Sequence, residues 1–482
     1  MIVDEIKREI IQNGKAKLAD PGRYIYMKRQ ALASINLVMA SLCYGVSFAF
    51  TGTLLPLIRE YVDEESETWL AAINVGVMIL GSYLGLLVAG CFGNKKCLVL
   101  TDIMSIAGWF CLSLASDFLT FGIGCTLVGF SSGMKTQVSL TYRVEIPEKD
   151  LRGIISTIIT SAYMLGILMG HLSAIIFPWR AAMRFCSLSP IISLFTITLI
   201  PESPTWLLSH GYKDEAKKIF FWLRGQTPQS ENEFSNMMKK QTGSEGCAEI
   251  GSNLRKMCSK KFFIPFVISA VLLTAQSGSG YDVLVVYTED FLSNMSSQIN
   301  TGNVTILFDI ISLTFCILSC FFIKLMPRRT IFFCSSAGTV ITLVLLILII
   351  IYDWSGDILT LCLCVYTACV NLGILPVSWL VLTEIFPESK RDLGICVSTG
   401  FFSFFTFLLV KLVPILVFRV GIVAALALFI GIVTICNFVL FFIMPETKEL
   451  SLHDMEEAIY QGKFYKCFEM VGCKNQHYIV ND

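Results

Sequence analysis

The stretch Glu145–Arg152, EIPEKDLR, occurs a second time as Glu384–Arg391, EIFPESKR. In each copy a glutamate precedes an arginine by seven residues, and the two copies lie 239 positions apart. A second signature repeats in the same order, since Pro201–Pro204, PESP, returns as Pro445–Lys448, PETK, at an offset of 244 residues. Features that recur in order at nearly one offset predict a chain built from two duplicated halves.

The composition of the chain indicates a membrane protein. Of 482 residues, 54% are hydrophobic and 15% are charged, the formal net charge is 0, and the mean hydropathy is +0.68. A soluble protein carries about 25% charged residues. The composition therefore disfavours a soluble enzyme, a nucleic-acid binder and a disordered chain. The sequence contains neither a P-loop nor an HExxH motif, and we expect no enzymatic activity, no cofactor and no metal site.

About twelve apolar runs follow the first 30 residues. Runs of about 18–25 residues are long enough to cross about 30 Å of hydrocarbon as helices. We place them at 31–54, 69–91, 97–115, 118–140, 154–177, 182–200, 262–286, 303–323, 330–351, 358–381, 393–417 and 421–443. The pattern predicts an all-α membrane protein with twelve transmembrane helices in two six-helix repeats.

The polar stretches divide the chain into five parts. We expect a cytosolic tail at 1–30, an N-terminal half at 31–200, cytosolic linker helices at 201–261, a C-terminal half at 262–443 and a cytosolic tail at 444–482. Such a duplicated bundle is typical of transporters, whose substrate binds near the bilayer midplane between the halves.

The distribution of lysine and arginine predicts the orientation. The loops on one side contain only Arg59, Arg180, Arg184 and Arg419, whereas 31 of the 37 basic residues lie on the other side. Because basic loops remain in the cytosol, we expect both termini to be cytosolic in a multi-pass plasma-membrane protein. The sequons that begin at Asn294 and Asn303 fall on the opposite side and are candidate glycosylation sites.

The repeated charges are candidates for a gate. Glutamate–arginine pairs at a partly shielded membrane edge interact more strongly than exposed pairs. Pairs that bridge the halves would hold the cytosolic side shut. We assign this role to Glu145, Arg152, Glu202, Glu384, Arg391 and Glu446. The alternative is that they are orientation charges with incidental partners.

These motifs resemble the sugar porter family of the major facilitator superfamily, which includes glucose facilitators and insect facilitated trehalose transporters. Pro201–Leu207, PESPTWL, resembles the family's PESPRWL, and Pro445–Lys448 matches the start of its PETKG. The loops around Glu145–Arg152 and Glu384–Arg391 match as well. The resemblance covers about residues 31–458 and implies the major facilitator fold with twelve helices.

The resemblance also implies a sugar site, and here the sequence departs from the family. The family's QQxSGxN segment is Gln276–Asp282, QSGSGYD, so that Ser277 replaces the second glutamine and Asp282 replaces the asparagine. The family's tryptophan in span ten is Trp379. Its Asn-Trp pair in span eleven is Phe402-Ser403, and its arginine in span four is Cys125.

A sugar site needs amides or carboxylates together with an aromatic wall. The candidate substrate-binding residues are Gln276, Ser277, Ser279, Asp282, Asn371 and Trp379. An intramembrane carboxylate such as Asp282 usually faces a cavity, where it accepts sugar hydroxyls, binds a cation or carries a proton. Asp309 is a second acid of this kind, and we expect His171 to be a satisfied or hydrated imidazole.

The expected function is facilitative transport of trehalose or a hexose by alternating access. Proton-coupled relatives carry an acid on span one that pairs with the arginine of span four, but 31–54 has no acid and span four has Cys125. The alternatives are a carrier of another small polar or cationic solute and a non-transporting sugar sensor. We expect a small-molecule sugar and the lipid bilayer as partners, no nucleic acid, and a functional monomer.

Overall fold

The computed structural model describes residues 21–58, 64–241, 260–295, 301–387 and 390–448. Both ends of the chain, including most of the two predicted tails, lie outside the described residues.

The first half of the chain forms a bundle of apolar helices. Its helices are α1 (Pro21–Ile58), α2 (Glu64–Phe92), α3 (Asn94–Leu114), α4 (Phe118–Glu145), α5 (Lys149–Ile176), α6 (Trp179–Cys186) and α7 (Leu188–Thr196). The first helix begins ten residues before the predicted span, and the sixth span consists of α6 and α7, which are divided at Ser187.

Three short helices follow in the part of the predicted linker that the structure describes. They are α8 (Pro204–Ser209), α9 (Lys213–Arg224) and α10 (Pro228–Gln241). The hydroxyl of Ser203 caps α8 by accepting a hydrogen bond from the Trp206 amide at 3.1 Å, and Pro204 occupies the first helical position, where its missing N–H is tolerated. The amide of Gln30 donates to the carbonyl of Leu223 at 3.1 Å. The insert is therefore fastened to the first half, and we call this end of the bundle the insert side.

The second half repeats the bundle. Its helices are α11 (Lys260–Gly278), α12 (Tyr281–Val286), α13 (Thr288–Met295), α14 (Thr301–Leu325), α15 (Arg328–Ile351), α16 (Gly356–Cys369), α17 (Leu375–Ile385), α18 (Arg391–Val420) and α19 (Ile422–Ile443). A π-helical turn, Val370–Ile374, joins α16 to α17.

Ten segments in the described part of the chain are long and apolar enough to cross a membrane. Two further segments complete the predicted twelve, namely α4 and the pair α11–α12. The predicted continuous span 262–286 is interrupted at Gly280, whose φ of +87° belongs to the left-handed region. Glycine adopts this conformation without a steric penalty, so the break is local to the SGSG sequence.

Helices within each half approach closely where glycines replace side chains. A Cβ atom on Gly45 of α1 would lie 2.1 Å from the carbonyl oxygen of Tyr163 in α5, and one on Gly166 would lie 2.2 Å from that of Leu42. In a membrane, such small residues let helices pack by close contact of their backbones. The two halves meet where α5 packs against α14 and α2 packs against α18.

Candidate functional site

A cavity lies between the two halves. The first half supplies most of its wall from α1, α4 and α5, and the second half supplies Gln276 from α11 and Trp379 from α17. A position between the helices of a bundle is typical of small-molecule sites.

Two tyrosines form an aromatic wall on the side of the first half. Tyr44 of α1 and Tyr163 of α5 stack with ring centroids 4.9 Å apart and an interplanar angle of 21°, and both line the cavity. Ser41 and Thr160 lie near them on the same helices and add hydroxyls to the lining. Stacked rings offer a flat face to the apolar side of a ligand, while the hydroxyls donate and accept hydrogen bonds.

Gln276 and Trp379 face this wall from the second half, as the sequence led us to expect of binding residues. Gln276 is 2% exposed, and its Oε1 atom has no hydrogen-bond partner among the described residues. The indole of Trp379 packs edge-on against Phe402, with ring centroids 5.1 Å apart. An amide with an unused acceptor beside an indole is suited to a polar ring with hydroxyl groups.

Two other predicted binding residues do not line this cavity and form hydrogen bonds with other protein atoms. The hydroxyl of Ser277 lies 2.8 Å from that of Thr406, and the hydroxyl of Ser279 donates to the Gln276 carbonyl at 2.6 Å. The Ser279 carbonyl accepts a hydrogen bond from the hydroxyl of Tyr366 at 2.8 Å. These bonds satisfy the backbone where the helix breaks.

Asp282 is buried immediately after the helix break, but it is not among the residues that line the cavity. It lies near Tyr44 and Tyr163 of the aromatic wall. Its Oδ2 atom has no hydrogen-bond partner in the described part of the chain. A role of Asp282 in substrate binding stays a prediction.

Asn371 lies in the π-helical turn and likewise does not line the cavity. Its Nδ2 atom donates to the Thr367 carbonyl at 2.9 Å. The π-helical turn interrupts the regular backbone hydrogen bonding of the helix. The hydroxyl of Ser335 in α15 bonds to two of the backbone groups there: it donates to the Cys369 carbonyl at 2.6 Å and accepts from the Ile374 amide at 2.9 Å. No sequence motif indicated Ser335, because its role depends on a neighbouring helix. Short π-helical turns are frequent at functional sites.

The cavity also contains two basic residues of α4 to which the sequence analysis assigned no role. The Lys135 ammonium lies 2.5 Å from a carboxylate oxygen of Asp102 in α3, with side-chain exposures of 3% and 1%. Arg143 is 6% exposed. Both basic residues line the cavity. The available signal was a lysine within an apolar span, because charges buried in a membrane are costly and usually functional.

The repeated glutamates Glu202 and Glu446 hold equivalent positions in the two halves. Glu202 accepts hydrogen bonds from the Asn94 and Lys95 amides, the first at 3.0 Å, and so caps the free N–H groups at the start of α3. Glu446 accepts from the Arg328 and Arg329 amides at 3.1 and 3.0 Å at the start of α15. A carboxylate is stabilising at a helix N-terminus. Burial nevertheless raises the pKa of Glu202, an effect that its backbone hydrogen bonds oppose.

Three of the other four predicted gating residues make direct contacts within their own half or with the insert. Glu145 accepts a hydrogen bond from the Thr205 hydroxyl. Arg152 donates to the Val144 carbonyl at 3.1 Å, and Glu384 pairs with Arg328 at 3.0 Å. The Nε and Nη2 atoms of Arg391 have no partner among the described residues.

Contact between the halves at the insert side is made by a different residue. Gln137 of α4 donates to the Asp392 carbonyl of α18 at 3.0 Å. Arg152 lies close enough to Glu384 and Arg391 for electrostatic interaction across the halves. The gating role of the six charged residues stays a prediction.

The structure describes the side chain of one of the two predicted glycosylation sites. Asn303 is exposed in the first turn of α14. The side chain of Asn294 lies outside the described residues.

A family model described as "Sugar (and other) transporter" matches residues 33–459. The chain belongs to this family. The transporter is 27% identical over 474 residues to the facilitated trehalose transporter Tret1 of Polypedilum vanderplanki, covering 94% of this chain and 93% of that protein. It is also 27% identical to Tret1 of Apis mellifera ligustica, covering 89% of this chain and 87% of the relative.

Its fold is that of the solved major facilitator structures. The proton:xylose symporter XylE bound to 6-bromo-6-deoxy-D-glucose superposes with a TM-score of 0.79 at 18% identity, covering 89% of this chain and 99% of that one. The prediction of an all-α bundle of twelve transmembrane helices in the major facilitator fold is confirmed, as is membership of the sugar porter family. The transporter is accordingly not an enzyme.

Proposed function

We propose that this transporter carries trehalose or a hexose down its gradient by alternating access, without coupling to protons. The observation that carries the proposal is the placement of Gln276 and Trp379, which face the aromatic wall of the first half across one cavity. A ligand held by both halves is released when they rock apart on one side, which is the motion expected of duplicated bundles.

The absence of an acid at 31–54 and the presence of Cys125 support downhill transport. Proton-coupled members of this superfamily place an acid on the first span, and here Tyr44 and Ser41 are the polar side chains that α1 contributes to the cavity. We further propose that the transporter works as a monomer in the plasma membrane with both termini in the cytosol, and that the six gating charges control its cytosolic side.

Uptake of radiolabelled trehalose and glucose in oocytes that express the transporter at their surface tests the proposal. We expect saturable uptake of at least one of the two sugars, unaffected by a protonophore. Gln276→Ala and Trp379→Ala should each raise the half-saturating concentration by about tenfold or more, since a lost buried hydrogen bond or aromatic contact costs about 1–3 kcal/mol. Accumulation that collapses with the protonophore contradicts downhill transport, and binding without flux indicates a sensor.

A carrier of cationic solutes, which Asp282 suggested, receives less support from the geometry. The charged residues that line the cavity are the bases Lys135 and Arg143, whereas Asp282 lies outside its lining. A cationic solute in this cavity would therefore meet like charges first.

A further inference from the structure

Three side chains that line the cavity bury polar atoms without a partner. They are the Oγ atom of Ser139, the Nε atom of Arg143 and the Oε1 atom of Gln276, none of which has a hydrogen-bond partner among the described residues. The three residues are 3%, 6% and 2% exposed. Leaving a buried polar group unsatisfied destabilises a protein, and more so when the group is charged. A site built in this way is completed by a bound polar ligand or by water.

The charges around the cavity do not cancel. Lys135 is neutralised by Asp102, but Arg143 forms no ion pair with any residue that the structure describes. Arginine stays protonated in proteins. The two basic residues of the lining and the Asp102 carboxylate that pairs with Lys135 therefore sum to one positive charge, located at Arg143.

Ser139 and Arg143 are arranged to bind the same group. They are four residues apart in α4, so they lie on one face of the helix, about 6 Å apart along its axis. A guanidinium donates two parallel hydrogen bonds to the two oxygens of a carboxylate, and a neighbouring hydroxyl adds a third. One carboxylate balances the charge of Arg143, whereas a dianionic phosphate leaves an excess negative charge.

We infer that the preferred substrates of the cavity are sugar acids with one carboxylate, such as hexuronates, rather than the neutral parent sugars. This inference rests on the proposed sugar transport and specifies its substrate class. The carboxylate pairs with Arg143 and Ser139, a ring hydroxyl donates to Gln276, and the ring lies between Trp379 and the aromatic wall.

Competition and current measurements in oocytes test the inference. We expect unlabelled glucuronate to inhibit labelled glucose or trehalose uptake at a concentration about tenfold lower than unlabelled glucose does, because a charged hydrogen-bonded pair contributes about 1.5–3 kcal/mol. Since each glucuronate carries one negative charge, its influx should produce an outward current, and glucose should produce none. Glucose 6-phosphate should compete less well than glucuronate.

Two variants of the cavity and one control assign the preference to Arg143. Arg143→Gln should reduce the preference of about tenfold to about one, whereas Arg143→Lys should keep the charge but lose part of the preference with the planar fork. Arg180→Gln is the matched control, because Arg180 contacts the Ala115 carbonyl and the Trp179 ring away from the cavity. It should keep the full preference.

The outcomes separate the inference from the proposed function. Transport of glucose or trehalose without competition or current from glucuronate overturns the inference and leaves sugar transport intact. A preference that persists in Arg143→Gln overturns the assignment to Arg143. Failure of the surface-expressed protein to carry any sugar or sugar acid contradicts the proposed function itself. Because the competition and the current are measured on the unmodified transporter, they decide the inference even if an Arg143 variant does not fold.

Discussion

His171 and Asp309 join the two halves of the transporter through buried side chains. The Nδ1 atom of His171 in α5 lies 2.7 Å from the Oδ2 atom of Asp309 in α14, and the side chains are 1% and 0% exposed. Both lie nearer the side opposite the insert, so rocking of the halves on that side strains this contact. The contact therefore stabilises conformations in which that side is closed.

Substitutions of His171 and Asp309 should alter the maximal transport rate, and their effects should not be additive. We expect Asp309→Asn and His171→Gln each to change the maximal transport rate several-fold, and the double variant to differ from the sum of the two by about 0.5–3 kcal/mol in the barrier. Thr314→Val is the control, because the exposed Thr314 hydroxyl donates a hydrogen bond to the Ile310 carbonyl within its own helix. Strictly additive effects in exchange kinetics would show that the pair does not act as a unit.

The buried pair of Lys135 and Asp102 should respond differently to single and double substitution. Lys135→Met or Asp102→Leu alone leaves an unpaired buried charge, which costs about 3–5 kcal/mol, whereas the double variant removes both charges and should recover most of this loss. Thermal unfolding in detergent measures the effect. A double variant as unstable as either single variant contradicts the pairing.

The helix break at Gly280 should tolerate no side chain. Gly280 has a φ of +87°, and an added Cβ atom would lie 2.4 Å from Phe429. Gly280→Ala should therefore cost about 1 kcal/mol for the left-handed backbone and about 1–3 kcal/mol more for overpacking. Gly211 has a φ of +85° with no atom within 4 Å of its Cβ position, so Gly211→Ala shows the backbone cost alone. Equal losses of thermal stability in Gly280→Ala and Gly211→Ala would show that contact with Phe429 adds no cost.

Substitution of Ser335 should reduce the stability of the transporter more than substitution of its neighbour Ser336. Ser335→Ala removes two hydrogen bonds to the opened backbone of the π-helical turn, and we expect a loss of about 1–3 kcal/mol in stability. The turn also carries Asn371, so the transport rate should fall with it. Ser336→Ala removes one bond to Phe333 within the same helix and should cost less. Comparable melting temperatures of the two variants would argue against the role of Ser335.

Neutralising Arg391 should change turnover more than affinity. Arg391 lies at the first turn of α18, outside the cavity lining, so Arg391→Gln should lower the maximal rate and leave the half-saturating concentration within about twofold. Arg419→Gln, at the other end of the same helix and exposed, serves as the control. A normal maximal rate in Arg391→Gln would count against the gating assignment.

Sequence reasoning located the site only in part. Gln276 and Trp379 were predicted as binding residues because an amide and an indole inside apolar spans need polar partners, which a bound ligand can supply. Both line the cavity. Arg143 escaped prediction because it lies near the end of a span, where basic residues ordinarily mark orientation. Tyr44 and Tyr163 escaped because an aromatic residue in an apolar helix looks the same whether it lines a cavity or packs in the core.

The gating charges show a second limit. The repeat of Glu202 and Glu446 was visible in the sequence, but their contact with the N-termini of α3 and α15 was not. The recurrence of the glutamate–arginine pair with the same seven-residue spacing indicates a duplication. It does not indicate which neighbouring helix each side chain contacts.

By itself, the sequence determined the class of the protein, the number of spans and the duplication, because hydrophobic length and charge placement are read residue by residue along the chain. Only the tertiary structure decided that Lys135 is neutralised by Asp102, that the Nε atom of Arg143 has no partner within the described ranges, and that Gln276 meets the first half across a cavity. These facts depend on which faces of distant helices are packed together. Packing of this kind is a property of the assembled bundle, in which each buried charge must find a partner, a ligand or water.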